Sequence, residues 1–385
     1  MPEMDESFDV VLQIIDWVGS ICSISRRDPL TPNLQRIDIY NLSRANRHYF
    51  SLLSLPLTRK MLRKTKASRS GGSYLHLAAA KGDISLLQRL VNAGGDLQAM
   101  DTLQDTPLIH AIRSGMIETC KWILEMDPRT IKHPSENELD PLLHAAKSKQ
   151  WNIARLLVRA GSDVRASGPG YGFTCLHYAA KDRQYELALA LIERGADLEA
   201  RNSHGSTPLA RAVKSEDEQM VQLLLEAGAN GRATDREGRG MLHLAAMAGN
   251  LTIAELLLSF GVDIHYRDDL GRTSLHYAAN WDQEDFCAWI LNSEAPIDIN
   301  VADNRGRTPL HCAASQGMHD ISMFLRDHGA DCRQADLDGL NAIDIAMMTW
   351  HGHLAHLLAS GETIVASSED SCSSENSVNG MVCPN

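Results

Sequence analysis

Five histidines, His76, His177, His243, His276 and His311, and eight cysteines are the side chains most readily turned to chemistry, since imidazole and thiolate serve as bases, nucleophiles and metal ligands. Their spacing argues against it. The histidines share one place in a recurring phrase whose best copies are Thr308-Pro309-Leu310-His311-Cys312-Ala313-Ala314 and Thr174-Cys175-Leu176-His177-Tyr178-Ala179-Ala180. The fourth position of that phrase returns nine times, as His76, Ile109, Leu143, His177, Ala210, His243, His276, His311 and Asp344, at intervals of 33 to 35 residues. Equivalent side chains on successive packed helices stand ~10 Å apart, too far to share one ion. The cysteines, Cys22, Cys120, Cys175, Cys287, Cys312, Cys332, Cys372 and Cys383, form no CxxC pair and no regular framework, as expected of reduced thiols inside a cell, and a zinc site is not expected. No nucleophile elbow, phosphate-binding loop, HExxH or Asp-His-His-Cys signature is present. The expectation is a protein that is not an enzyme and needs no cofactor.

The elements that must hold these residues follow from the same period. In each unit a first helix carries the phrase and a second carries a leucine-rich run, such as Ile153-Ala154-Arg155-Leu156-Leu157 or Met220-Val221-Gln222-Leu223-Leu224-Leu225. Small residues on one helix admit bulky ones from the next. Gly94, Gly161, Gly195, Gly228, Gly261, Gly329 and Gly361 mark helix ends, and Gly71, Gly172, Gly205, Gly238, Gly271, Gly306 and Gly339 mark a tight turn just before the phrase. Pro107, Pro141, Pro208 and Pro309 suit the first helical turn, where a missing N–H costs nothing.

This period and phrase resemble the ankyrin repeat. The resemblance implies an all-α solenoid of about nine helix-turn-helix repeats with short β-hairpin-like fingers, preceded by a small helical N-terminal module. It also implies that Thr106, Thr174, Thr207, Thr273 and Thr308 and the recurrent imidazoles bridge backbone groups at helix starts. Three segments are expected: 1–70, a helical module and basic linker; 71–360, the array; and 361–385, a Ser-rich acidic tail expected to be disordered. Irregular joints are expected where Gln104 and Glu138 replace the turn glycine, at Met126-Asp127-Pro128 and His133-Pro134, at Gly168-Pro169-Gly170, and from Asn292 to Pro296. The ninth unit, Asn341-Ala342-Ile343-Asp344-Ile345-Ala346, lacks both Thr and His, as a terminal cap would.

A net charge of -12 and pI near 5.7 exclude general nucleic-acid binding, which needs a dominant basic surface. No apolar run approaches the ~18 residues that span a bilayer, and Met1 to Asp9 carries no basic residue, so no membrane association and a cytoplasmic or nuclear location are expected.

In ankyrin repeats the residues just after the double Ala line a concave groove. That slot reads Ala80, Arg113, Lys147, Lys181, Lys214, Met247, Asn280, Ser315 and Met348, and its neighbour reads Lys81, Ser114, Ser148, Asp182, Ser215, Ala248, Trp281, Gln316 and Thr349. Arg113, Lys147, Lys181 and Lys214 make a cationic half suited to an acidic or phosphorylated protein segment, with Met247, Trp281 and Gln316 beyond it and Trp281 as an apolar anchor. A merely solvated charged face is the other reading. Finger residues Arg236, Arg239, Arg272, Arg305 and Arg307 form a second basic row with Asp235, Asp268, Asp269 and Asp303 interleaved.

Before the array, Val10-Val11-Leu12-Gln13-Ile14-Ile15-Asp16 and the string from Asp38 to Leu53, which contains Ile39 and Leu42, resemble the two halves of a degenerate F-box, in the form found before ankyrin arrays in filamentous fungi. That resemblance implies docking on the Skp-type adaptor of a cullin-RING ubiquitin ligase through Val11, Leu12, Ile14, Ile15, Ile39 and Leu42, with the array presenting a substrate. The alternative is an N-terminal helical cap on an ankyrin scaffold with no ligase role. From Asn41 to Gly71 there are eight basic residues and no acidic one, which suits either nuclear import or the exposed side of a last helix.

Overall fold

A computed structural model describes residues 74–132, 139–293 and 295–360. The F-box-like segment, the basic stretch, the tail, Gly71, Gly361, His133-Pro134 and Glu138 lie outside the described residues. Nine helix pairs follow one another: α1 Tyr74–Lys81 and α2 Ile84–Asn92; α3 Pro107–Arg113 and α4 Ile117–Met126; α5 Pro141–Lys147 and α6 Trp151–Ala160; α7 Cys175–Lys181 and α8 Tyr185–Glu193; α9 Pro208–Lys214 and α10 Glu218–Glu226. The last four pairs are α11 Met241–Ala248 and α12 Leu251–Ser259; α13 Ser274–Asn280 and α14 Glu284–Leu291; α15 Pro309–Gln316 and α16 His319–Asp327; α17 Ala342–Met348 and α18 Gly352–Ser360. A 3-10 helix, Pro128–Lys132, follows α4, where Met126-Asp127-Pro128 predicted an irregular joint. Each first helix packs on the first helix of the next pair, and the second helices form an outer layer.

The phrase explains the inner layer. Ala78, Ala79, Ala145, Ala146, Ala179, Ala180, Ala245, Ala246, Ala278, Ala279, Ala313 and Ala314 are fully buried, so the small residues lie where inner helices approach most closely. From the outer layer Leu87, Ile153, Leu157, Val221, Leu224, Ile253, Leu257, Phe286 and Ile321 enter the same continuous core. Each such side chain adds roughly 1.5–3 kcal/mol when it leaves water.

Three helix starts are clipped alike, and at a fourth the Gly240 N–H donates to His243 Nδ1 with no hydroxyl beside it. The backbone N–H groups of Thr174, Thr273 and Thr308 donate to Nδ1 of His177, His276 and His311 at 3.1 Å, and each threonine hydroxyl lies 2.7–3.0 Å from the same nitrogen. Because Nδ1 accepts, Nε2 carries the proton. It donates to a carbonyl of the next repeat: His177 to Ser206 at 2.9 Å, His243 to Arg272 at 3.0 Å, His276 to Arg307 at 3.0 Å and His311 to Leu340 at 3.2 Å. His76 reaches the Ala99 and Asp105 carbonyls likewise. The expected bridging role is therefore observed, with a cross-repeat bond that the phrase alone did not announce. Burial drives these imidazoles toward the neutral form, taking His177 and His276 down to about 4 and lowering His76, His243 and His311.

Where the histidine is missing, something else happens. Ile109 fills the slot in the second repeat, and the buried Thr106 hydroxyl is left with no hydrogen-bond partner. Ala210 fills it in the fifth, and the Thr207 hydroxyl accepts from the Ala210 N–H at 3.3 Å. In the ninth, the Asn341 carboxamide caps the N–H groups of Ile343 and Asp344 while Asp344 accepts from the Asn341 N–H, so the local half of the clip is rebuilt without imidazole.

The fingers are turns more than hairpins. Among the described residues no strand forms, and only single antiparallel bridges join Ser167 to Thr174 and Thr234 to Gly240. Six fingers are closed instead by a carboxylate or carboxamide: Asp101, Asn202, Asp235, Asp268, Asp303 and Asp336 each accept two backbone N–H groups, two and four residues on. The turn needs a left-handed residue; Gly205 and its equivalents supply it, and Gln104 adopts the same conformation at φ 52°. Neighbouring fingers are stitched by backbone bonds from Ser203 to Tyr171, Arg236 to His204, Asn304 to Leu270 and Leu337 to Arg305, at 2.8–3.2 Å.

Candidate functional site

The groove slots follow directly on the C-terminal ends of the inner helices, because Arg113, Lys147, Lys181 and Lys214 are the last residues of α3, α5, α7 and α9. A cation there also favours the carboxyl end of the helix dipole. All four are exposed, yet they are not equivalent. Arg113 forms a short ion pair with the fully buried Asp105, whose carboxyl burial pushes upward and the guanidinium draws down. Lys214 lies 4.0 Å from Asp235 of the next finger, and burial, followed by nearby Arg239, lowers its pKa. Lys147 and Lys181 form neither an ion pair nor a hydrogen bond among the described residues.

One position further along each helix-helix turn the backbone is left-handed in every repeat. The series is Gly82, Gly115, Lys149, Arg183, Glu216, Gly249, Asp282, Gly317 and Trp350. At Gly249 a Cβ would meet the end of the Gln283 side chain of the next repeat, which would have to swing aside. Lys149 and Arg183 use the slot to clasp the next repeat: Lys149 Nζ meets Asp182 at 3.0 Å, while Arg183 donates to the Ser215 carbonyl at 3.0 Å and lies 4.0 Å from Asp217. Glu216 ends the basic run.

Beyond Glu216 the surface changes character. Met247, Asn280 and Ser315 are half-buried and Gln316 is exposed, but Trp281 is 50% exposed, Met348 65% and Trp350 94%. Trp350 is the residue that slot reading missed. Aligning the left-handed positions finds it, since a bulky aromatic standing where sister repeats have glycine is the anomaly to look for.

The second basic row dissolves on inspection. Arg239 and Arg272 are held by Asp235 and Asp268 of their own fingers, and Arg307 meets Asp336 at 3.4 Å. Arg272 also lies over the Tyr277 ring at 4.5 Å. Only Arg236 and Arg305 of that row stay exposed.

One cluster of metal-ligating types exists among the described residues: Asp101, Asp105 and His110 have donor atoms within 4.8 Å of one another. His110 Nε2 lies on Asp101 at 2.9 Å and Arg113 on one oxygen of Asp105, so a cation there would face the guanidinium. The thiols are similarly unsuited to chemistry. Cys120, Cys175 and Cys287 are buried, and burial pushes all three upward, Cys120 to about 12. Among the described residues no helix is long and apolar enough to cross a membrane.

A stacked double layer of helices with one imidazole clip per regular joint and a groove of unconstrained side chains defines a class, and comparison with known proteins agrees. The pattern of ankyrin repeats, three copies to a unit, matches residues 57–130, 75–168, 115–202, 142–235, 209–303 and 295–367, and the chain belongs to the ankyrin-repeat family. The first match begins at residue 57, within the stretch expected to be basic linker. The chain is 35% identical to diacylglycerol kinase zeta of Rattus norvegicus over 94 residues, 24% of this chain and 10% of that protein. It is 34% identical to the ankyrin repeat and KH domain-containing protein mask-1 of Caenorhabditis elegans over 95 residues, 25% of this chain and 3% of that protein. Over 76 residues, 20% of this chain, it is 34% identical to the transient receptor potential cation channel subfamily A member 1 homolog of the same organism, 6% of that protein's length. The matched stretches thus span at most a tenth of these relatives, and the kinase and channel activities their names state belong to those proteins. Ankyrin repeats carry a protein-protein interaction role.

Proposed function

We propose that this chain is a non-catalytic recognition protein that holds an acidic or phosphorylated protein segment along the basic part of its groove. The supporting observation is the contrast between neighbours: Arg113 and Lys214 are occupied by Asp105 and Asp235, while Lys147 and Lys181 stand between them with no counter-ion among the described residues. Reversing Lys147, Lys181 and Lys214 together to Glu is expected to weaken binding of an acidic partner by roughly tenfold or more and to flatten its salt dependence. Unchanged affinity in a calorimetric titration sinks the reading.

The resemblance of residues 6–60 to an F-box supports a finer role, a substrate receptor that brings the bound protein to a cullin-RING ligase through a Skp-type adaptor, by raising its effective concentration there. Val11, Leu12, Ile14, Ile15, Ile39 and Leu42 would face the adaptor. Co-purification of the adaptor with the intact chain, lost in Ile15→Asp and Leu42→Asp, supports it. A scaffold without ligase connection is the second reading, favoured by the reach of the ankyrin match back to residue 57. A chain that never retains the adaptor is such a scaffold.

A further inference from the structure

The groove carries contacts at a fixed pitch. Lys147 and Lys181 close the inner helices of consecutive repeats, three and four, and so stand ~10 Å apart. Trp281 follows three repeats after Lys181, and Trp350 two repeats after that. A polyproline II chain completes one three-residue turn in about 9.3 Å, so side chains three residues apart return to the same face at nearly the spacing of the helices. A β-strand does not, since its same-face residues recur at about 6.6 Å.

Trp350 is expensive to keep. Trp350 holds φ 69° with a bulky ring, in a slot filled by glycine in four sister repeats, and exposes 94% of its surface. Neither the strain nor the exposure serves the packing of α17 or α18, whose buried residues are Ala342, Ile345, Ala346, Leu354, Ala355, Leu357 and Leu358. Strain and exposed aromatic surface together mark a contact point.

We propose that the groove is laid out for one extended acidic segment in polyproline II conformation. Two acidic side chains three residues apart sit on Lys147 and Lys181, and apolar side chains about nine and fifteen residues beyond the second sit on Trp281 and Trp350. This rests on the groove reading above and adds register and conformation to it. Charge complementarity fixes the acidic end, because among the described residues Lys147 and Lys181 are the two adjacent cations of their slot without an ion pair. An α-helix repeats its face about every 10.5 Å at seven residues, but its 10–12 Å girth must clear the Lys149–Asp182 and Arg183–Asp217 clasps beside the lysines.

The test uses the intact chain and labelled synthetic peptides, read by fluorescence anisotropy. One proline-rich peptide has two Glu three residues apart and Leu nine and fifteen residues further on, and is tried in forward and reversed order. A second has the same composition with the Glu residues adjacent and the Leu residues shifted; a third is an Ala-rich helix with Glu seven apart. The first, in one direction, is expected to bind about tenfold or more tighter than the others. Lys147→Glu with Lys181→Glu should remove that advantage, and Trp281→Ala and Trp350→Ala should each weaken it about fivefold. All four side chains are exposed, so circular dichroism should confirm intact helices. Equal binding of all three peptides, still abolished by the lysine reversals, overturns the register while leaving the basic groove. Tighter binding of the helical peptide, or no binding of any, also overturns it, and binding indifferent to the lysines overturns both readings.

Discussion

From the sixth repeat to the ninth every joint is made in one way, by an imidazole that accepts from its own helix start and donates to the next finger. In the second and third repeats Ile109 and Leu143 fill the histidine slot, a 3-10 helix interrupts the link between them, and the second repeat is braced within itself by charges, Asp101 holding His110 and Asp105 holding Arg113. A neutral buried clip costs little desolvation and works at each copy identically. A buried carboxylate must be paired, and Asp105 still leaves one oxygen without a hydrogen bond while Thr106 leaves its hydroxyl unmet. The unbroken run of clips coincides with the neutral half of the groove, whereas among the second to fifth repeats only His177 makes a clip, and Arg113 is spent on its own finger.

The largest effect should come from removing a clip. His276→Ala leaves the Thr273 N–H and the Arg307 carbonyl buried without partners and is expected to cost about 2–4 kcal/mol in urea denaturation, whereas Ala210→Gly, in a repeat without a clip, should cost only about 1. Equal losses would break the distinction between clipped and unclipped joints.

Acid should act next. The clip histidines have folded pKa values below the ordinary 6.5, so between pH 6.5 and about 4 the unfolded chain takes up protons that the folded chain refuses. Their stabilisation is complete above pH 6.5 and is lost as pH falls toward 4. Asp140, pushed up to about 6 by burial at the start of α5, works in the opposite sense, since protonation below pH 6 relieves it. His144 of the third repeat, lowered to about 4 by burial, follows the clips, so hydrogen exchange should show the sixth to eighth repeats losing protection before the fifth, which has no clip histidine, as pH is lowered from 7 to 4.5. Simultaneous loss throughout would mean that the joints do not differ in this way.

The smallest effects are gains. Gln104→Gly and Trp350→Gly place glycine in left-handed positions now held by side chains, and each should add up to about 1 kcal/mol, with a Tm rise of a few degrees. If Trp350→Gly destabilises instead, the ring serves the cap of the array and not a partner.

Much of this was legible beforehand, and for identifiable reasons. Helix starts, helix ends and turns are local matters, so Thr, Pro and Gly at a fixed period located all nine pairs. The neutralisation of the groove was hidden because it joins residues distant in sequence: Lys214 meets Asp235 of the following finger, and Lys149 meets Asp182 of the following turn. Finger aspartates such as Asp235 looked like neighbours of a basic row, when their first duty is to close the finger by accepting two backbone N–H groups. Trp350 was overlooked because its significance lies in a backbone angle.

The direction of the imidazole bond has a consequence for how such a chain is made. Each clip reaches forward, from a repeat to residues synthesised about thirty positions later, so a nascent repeat stays chemically open until its successor has emerged from the ribosome. Growth from the amino end then closes the joints in order, each arrival completing the unit before it. Asp344, which satisfies its own helix start and among the described residues makes no bond to a later one, closes the start of the ninth copy locally.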